Sequence, residues 1–275
     1  AVNIVPTLAK VYCEPFSDSS QIPTMLISKL AREYVKVVLT GDGGDELFGG
    51  YNRHKFGPSI YNFQMLIPLT SRIKIGNFLN FIAPRVDKLK FLDAYMPLLG
   101  LKISKVAGSM SCNTAGSFYE QLLRISPDRT SNLYMRHAKS VPEERRIDSD
   151  SMQFLDMENY LVHDILTKVD RASMAFGLES RAPFLSKELF EFVFTTRPKS
   201  QKLRGPGKPF LKASLRGRLP DRLINAPKRG FGVPIEDWLR GPLKEWAEWL
   251  LFDSNFSQDC YSDFRLRHEW IKFQA

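Results

Sequence analysis

The stretch VVLTGDGGDELFGGY, Val37 to Tyr51, constrains the possible folds more than any other part of the chain. It opens on apolar, β-branched residues and then places five glycines between Gly41 and Gly50, with Asp42, Asp45 and Glu46 among them. A short β-branched run is the pattern of a buried strand. A glycine-rich loop directly after a strand lets backbone N–H groups come close to phosphate. Such a junction predicts an α/β fold. The acids are the difficulty, because carboxylates repel phosphate.

Known phosphate loops do not match. A Walker A loop needs Gly-Lys-Ser/Thr, whereas Tyr51 follows Gly49-Gly50. The dinucleotide fingerprint needs a small third position, where Glu46 stands here. The spacing of Asp42, Asp45 and Glu46 does not fit a calcium EF-hand. A different arrangement does fit. Mg²⁺ takes one or two carboxylates and fills its other positions with phosphate oxygens and water. Bare backbone plus acids therefore suits a nucleotide that arrives with Mg²⁺. On these residues alone, a turn with solvated acids stays equally open.

The rest of the chain reads mostly as helix. Ile22, Leu26, Ile27 and Leu30 recur at helical spacing and predict a helix over Ile22 to Tyr34, ahead of a strand at Val35–Leu39. Phe56–Pro84 reads as two amphipathic helices broken by prolines, and Ile235–Leu251 as one more helix. No second parallel strand is recognisable. One strand is not a sheet, so its partners are expected upstream of Ala1, or some helical segments are misread.

Bulk properties set outer limits. A chain of 275 residues, 43% hydrophobic, suffices for one large or two modest globular domains. Cys13, Cys112 and Cys260 are far apart and form no CxxC pair, which argues against a disulfide framework or a zinc site and fits a reducing compartment. No apolar run approaches the ~18 residues that span a bilayer. The first residue is Ala1 rather than Met, so a longer parent chain is expected. The net charge is +9, yet eleven of the 39 Lys/Arg and one of the 30 Asp/Glu fall between Arg197 and Arg229. The excess is local. It is read first as a solvated face and second as a surface for phosphorylated ligands or nucleic acid.

With these residues in view, the chain closely resembles the synthetase domain of glutamine-dependent asparagine synthetases. VVLTGDGGDELFGGYNRH carries the likeness most specifically. EPFSDSSQIPT (Glu14–Thr24), DILTKVDRASMAFGLESRAPFL (Asp164–Leu185) and LPDRLINAPKRGFGVPIEDWL (Leu219–Leu239) resemble three further family segments, in the family's order. The resemblance implies an adenine nucleotide alpha-hydrolase-like (ATP-pyrophosphatase) domain over residues 1–275, mostly helical, with its sheet only partly present. The strand is expected in a parallel sheet with the loop at its C-terminal end, where open α/β sheets bind ligands. The family's chemistry activates the side-chain carboxylate of aspartate with ATP as an acyl-AMP. Ammonia, released from glutamine by a separate glutaminase domain, then displaces AMP. Carried onto this sequence, Thr40 and Gly41 line the nucleotide, and Asp42 lies near the acyl-adenylate and incoming ammonia. Asp45 ligands Mg²⁺, and Lys228 stabilises developing charge. The implied partners are small molecules, with neither nucleic acid nor membrane. The implied location is cytoplasmic, and a homodimer is left open.

The chain also departs from the family. Asp42 stands where many members have Glu, and Ser186 where Asp usually follows Pro-Phe-Leu. The Ser-Gly-Gly-x-Asp-Ser pyrophosphate loop expected before Glu14 is not found, nor is the glutaminase cysteine, and the tail after Tyr261 looks short. Residues 1–275 by themselves are therefore expected to fold without significant synthetase activity.

Other residues have plainer readings. Asp164, Lys168 and Arg171 fall on one helical face, with Asp164–Lys168 a candidate i,i+4 pair. Glu179 and Arg181 alternate in an extended segment and read as a structural ion pair. His163 lacks a second histidine at metal-binding spacing. Three other readings remain in competition, among them a non-catalytic helical scaffold, supported only by the missing pyrophosphate loop. A second is a related synthetase that amidates another carboxylate or closes a β-lactam. The third is a basic nucleic-acid-binding module, which would bind with steep salt dependence.

Overall fold

In the computed structural model, which describes residues 2–14, 16–87, 99–124, 146–196, 207–226, 230, 232–253 and 263–274, strand β1 (Val37–Leu39) pairs in parallel with β2 (Glu179–Arg181). Val37 lies opposite Glu179, Val38 opposite Ser180 and Leu39 opposite Arg181. The strand expected at Val35–Leu39 thus exists but is shorter. Its partner lies downstream in the same chain, which corrects the reading that no second parallel strand is present. The Glu179 N–H donates to the Lys36 carbonyl at 2.9 Å and starts the ladder there. Glu179 and Arg181 do form an ion pair, Nε to Oε1 at 2.6 Å, on one exposed side of β2, as period-two alternation requires.

The chain divides into two compact units. The first comprises Ala1–Leu39, Thr167–Arg181 and Pro227–Ala275. Its helix Gln21–Arg32 matches the predicted helix, but Ile22 and Met25 are the apolar residues it buries, while Ile27 and Leu30 are more than half exposed. Met25 packs with Tyr12 and Ala172 from the helices Leu8–Tyr12 and Thr167–Met174. The Tyr12 ring stacks on Phe16 at 4.9 Å, and its hydroxyl donates to the Lys168 carbonyl at 3.2 Å. The Lys168 ammonium meets Asp18, Nζ to Oδ2 at 2.5 Å. Burial pushes the Asp18 carboxyl up, but Lys168 and the Ser20 N–H outweigh it and hold the group below its ordinary value. The helix expected over Ile235–Leu251 is interrupted. It runs Ile235–Arg240, breaks at Gly241-Pro242, and resumes at Lys244–Glu248. Proline lacks the N–H that a continuing helix would need.

The second unit, Thr40–Leu166 with Ala182–Ala226, is helical. Helices Asn52–Gln64 and Leu69–Asp87 fulfil the two-helix expectation. Pro58 and Pro84 lie inside them, and the break falls at Ile67-Pro68 instead. Helices Ala115–Leu123 and Ser149–Leu155 start at capping boxes, where Thr114 and Asp148 accept from the N–H groups of Ser117 and Ser151. Such caps satisfy N–H groups that lack intrahelical partners. One core packs Tyr61, Phe118, Tyr119, Met152 and Leu155. A second centres on Leu47, Phe48 and Val193. After Leu155 the backbone takes an eleven-residue π-helical course, Asp156–Leu166; π-turns are rare and concentrate at functional sites.

Candidate active site

The glycine-acid loop is shaped by its two ends. Gly43 turns the chain with φ +82°, a left-handed value that side chains rarely adopt, and a Cβ there would meet Leu185 Cδ2 at 2.2 Å. A one-turn helix, Gly44–Phe48, follows. Five residues cannot hold a helix alone, because nucleation costs more than one turn returns. Packing holds this one. Leu47 and Phe48 are buried, and Phe48 meets Phe184 edge-on at 5.6 Å and stacks on Phe210 at 6.2 Å.

That apolar anchor sets the position of the acids. Asp45 and Glu46 precede Leu47 in the same turn. Asp45 lies against Gly50 so closely that a Cβ on Gly50 would come within 1.7 Å of Asp45 Oδ1. The fifth glycine of the loop therefore makes room for a carboxylate. Gly41 differs: among the described residues, its chain neighbours apart, no atom lies within 4 Å of where its Cβ would sit. The adjacent Thr40 hydroxyl is buried and finds no hydrogen-bond partner among the described residues. Buried hydroxyls in proteins are nearly always paired.

Asp45 has a partner that sequence reasoning overlooked. Lys208 Nζ lies 3.2 Å from Asp45 Oδ1, and both side chains are largely shielded from solvent. The pairing depends on Phe210, which docks on Phe48 and so fixes the start of helix Pro209–Leu215. Lys208 takes a left-handed φ of +45°, directly after Gly207 at the same value. A non-glycine residue there costs of order 1–3 kcal/mol, and such strain gathers at functional positions. The signal was legible: Gly205-Pro206-Gly207 precede Lys208, just as Pro and Gly flank Lys228. Elsewhere in the basic stretch Arg216, Arg218 and Arg222 are exposed, as a solvated face requires.

Glu46 points the other way and is buried. Burial raises its pKa, and the charges of Asp45 and Asp156 add to the rise, against a hydrogen bond from Tyr51. The Tyr51 hydroxyl donates to Glu46 Oε1 at 2.7 Å. Behind Tyr51 lies a buried polar cluster. The Arg53 guanidinium sits 4.0 Å over the Tyr51 ring and 4.6 Å over that of Tyr160. Arg53 Nε donates to both oxygens of Asp156, at 2.9 and 2.7 Å. His54 Nε2 and the Tyr119 hydroxyl also meet Asp156, the latter at 2.7 Å. Burial pushes the Asp156 carboxyl up, but His54 and Arg53 outweigh it and hold it below its ordinary value.

The structure thus places Thr40, Gly41, Asp42 and Asp45 on one loop and adds Lys208 to it. Lys228, the expected catalytic lysine, lies outside the described residues. Among the described residues, no three His, Cys, Asp or Glu side chains converge as a metal cluster.

The chain matches the asparagine synthase family over residues 1–270. It belongs to that family. It is similar to the glutamine-hydrolysing asparagine synthetase 1 of Bacillus subtilis, with 27% identity over 97% of this chain and 41% of that protein. It is also similar to a putative glutamine-hydrolysing asparagine synthetase of Mycobacterium tuberculosis H37Rv, with 33% identity over 90% of this chain and 37% of that protein. A more distant relative is an amidase of Gibberella zeae, 23% identical over 84% of this chain and 37% of that protein. The chain therefore spans about two fifths of the length of these curated relatives. No solved structure matches it significantly. No helix among the described residues is long and apolar enough to cross a membrane.

Proposed function

We propose that this chain is the synthetase part of an ATP-dependent amidotransferase that converts aspartate to asparagine. The family match over residues 1–270 carries the reading. In this reaction an oxygen of the aspartate side-chain carboxylate attacks the α-phosphorus of ATP. Pyrophosphate leaves, and an acyl-AMP remains. Ammonia adds to the acyl carbon, loses a proton, and AMP departs. A glutaminase domain of the full-length protein supplies the ammonia. The parallel pair β1–β2 is, on this reading, part of an adenine nucleotide alpha-hydrolase-like sheet, and the protein works in the cytoplasm.

The loop supplies the residues for the first step. Thr40 and Gly41 receive the nucleotide; the unpartnered Thr40 hydroxyl and the open approach to Gly41 support that role. Asp45 would hold Mg²⁺, which when bound would neutralise phosphate charge. With no three-residue metal cluster among the described residues, such an ion would draw its remaining oxygens from phosphate and water. Asp42 lies near the acyl-adenylate and the incoming ammonia. Lys228 stabilises the negative charge that builds during acyl transfer.

The full-length protein, given ATP, Mg²⁺, aspartate and either glutamine or ammonium, should release AMP and asparagine in equal amounts. ADP in place of AMP, or AMP release that ignores aspartate, would refute the reading. The amidase relative favours a second possibility, a different carboxylate as acceptor. Ammonium-stimulated AMP release with another acid, but not with aspartate, would select it.

A further inference from the structure

The turn Gly44–Phe48 is too short to orient itself, so whatever anchors it also aims Asp45. One anchor is apolar: Leu47 and Phe48 in the core with Val193. The other is polar and begins at Glu46. Its carboxylate is fixed by Tyr51, 2.7 Å away, and the Tyr51 ring is in turn covered by Arg53 at 4.0 Å. Arg53 is held by two oxygens of Asp156, a residue fully shielded from solvent and far along the chain. Tyr160, four residues after Asp156 in the π-helical stretch, also packs on the guanidinium, its ring centre 4.6 Å away, and meets Tyr51 edge-on at 5.8 Å, so that Arg53 sits in the corner between the two rings.

We propose that Asp156 is a positioning residue for the acid end of the loop, acting through Arg53 and Tyr51 on Glu46 and hence on Asp45. The inference rests on reading Asp45 as the metal ligand, and it assigns to Asp156 a role that packing alone does not require. Asp156 needs no direct contact with a ligand. Its charge keeps Arg53 in a fixed plane. The guanidinium so held lies 4.0 Å over the Tyr51 ring and fixes its place, and the Tyr51 hydroxyl sets the rotation of the turn. Replacing the carboxylate with an amide leaves a partly buried guanidinium without its counter-charge, so the stack loosens and Asp45 loses its aim. Groups bonded directly to a metal ligand commonly change metal affinity about 10–100-fold; Asp156 acts from further back, so its effect belongs at the lower end of that range.

The test uses the full-length protein with ATP present and Mn²⁺ as the probe, counting bound ion by electron paramagnetic resonance. Asp156→Asn should weaken Mn²⁺ binding about 10-fold, while kcat at saturating Mg²⁺ stays within about threefold of wild type. Tyr51→Phe should weaken binding several-fold. The double variant should be no worse than the weaker single one, because both substitutions break one path. Met152→Ala, in the neighbouring apolar core, should lower stability but leave Mn²⁺ affinity unchanged. A folded Asp156→Asn protein with wild-type affinity, or effects that simply add in the double variant, would overturn the proposal. If Asp156→Asn does not fold, Tyr51→Phe decides alone: lost affinity supports the path and wild-type affinity overturns it. Asp45→Asn separates the two layers. If it leaves Mn²⁺ binding intact, the metal reading falls and the proposal with it. If it abolishes binding while Asp156→Asn and Tyr51→Phe do nothing, the positioning role alone falls.

Discussion

Lys208 Nζ sits 3.2 Å from Asp45 Oδ1, so the carboxylate proposed to hold a divalent cation already has a cationic neighbour. An ammonium and a metal ion on the same oxygen repel each other. At an effective dielectric of about 20, unit charges some 4 Å apart interact by roughly 4 kcal/mol, and partial exposure of both side chains reduces that. Lys208→Met should therefore tighten Mg²⁺ binding in the absence of nucleotide by several-fold, measured by titration calorimetry on the full-length protein. Weaker binding in the variant would mean that Lys208 supports the loop rather than competing at Asp45.

Gly50 offers an independent probe of the same oxygen. A methyl group there would begin 1.7 Å from Asp45 Oδ1 and 2.9 Å from Lys208 Cε, and the backbone at Gly50 is not left-handed, so the conflict falls on the Asp45 side chain first and on its Lys208 partner second. Gly50→Ala should displace the carboxylate at a stability cost of about 1–3 kcal/mol, the usual range for overpacking. The Mg²⁺ concentration for half-maximal turnover should rise at least tenfold. An unchanged Mg²⁺ requirement would show that Asp45 is free to move without consequence.

Direct substitution distinguishes binding from chemistry. Asp45→Asn removes a ligand charge and should raise the Mg²⁺ requirement. Lys228→Ala removes a cation that acts as charge develops, so kcat should fall by about 10²–10³ while the KM for ATP changes little. Wild-type rates in both would remove these residues from the mechanism.

The loop was legible in the sequence because its chemistry is local: glycines and acids carry their meaning wherever the chain puts them. The helix Gln21–Arg32 was legible for a similar reason, since apolar spacing reports periodicity. Which face would be buried was not, because that depends on where Tyr12 and Ala172 lie. Strand β2 stayed hidden because Glu-Ser-Arg has neither β-branched residues nor apolar alternation; its backbone is extended because Lys36 and β1 offer it hydrogen bonds. The Gly205-Pro206-Gly207 setting of Lys208 was legible, but its pairing with Asp45 was hidden, as was the role of Asp156. Each matters through a partner far away in sequence, and only the docking of Phe210 on Phe48, or the packing of Arg53 into the corner between two tyrosines, brings the pairs together.

The same distance in sequence governs the response to acid. Asp18 and Lys168 join two segments of the first unit, and the Lys168 side chain is the more deeply buried of the two. The Asp18 carboxyl is held below its ordinary value in the folded protein, so the unfolded chain binds its proton first as the pH drops. The pair's stabilisation is therefore fully present above the ordinary carboxylate pKa of about 4. It is lost as the pH falls from there through the depressed folded value. Asp156, held low by His54 and Arg53, contributes with the same sign in the same window. Asp18→Asn should destabilise the protein at pH 7 by roughly 1–3 kcal/mol, less than the 3–5 kcal/mol for breaking a fully buried pair because Asp18 retains some solvent contact. It should also flatten the decline in stability below pH 4. Chemical denaturation of the wild type and variant at pH 7, 4 and 3 measures both effects. A variant whose stability runs parallel to wild type across that range would show that the Asp18–Lys168 pair contributes nothing to acid sensitivity.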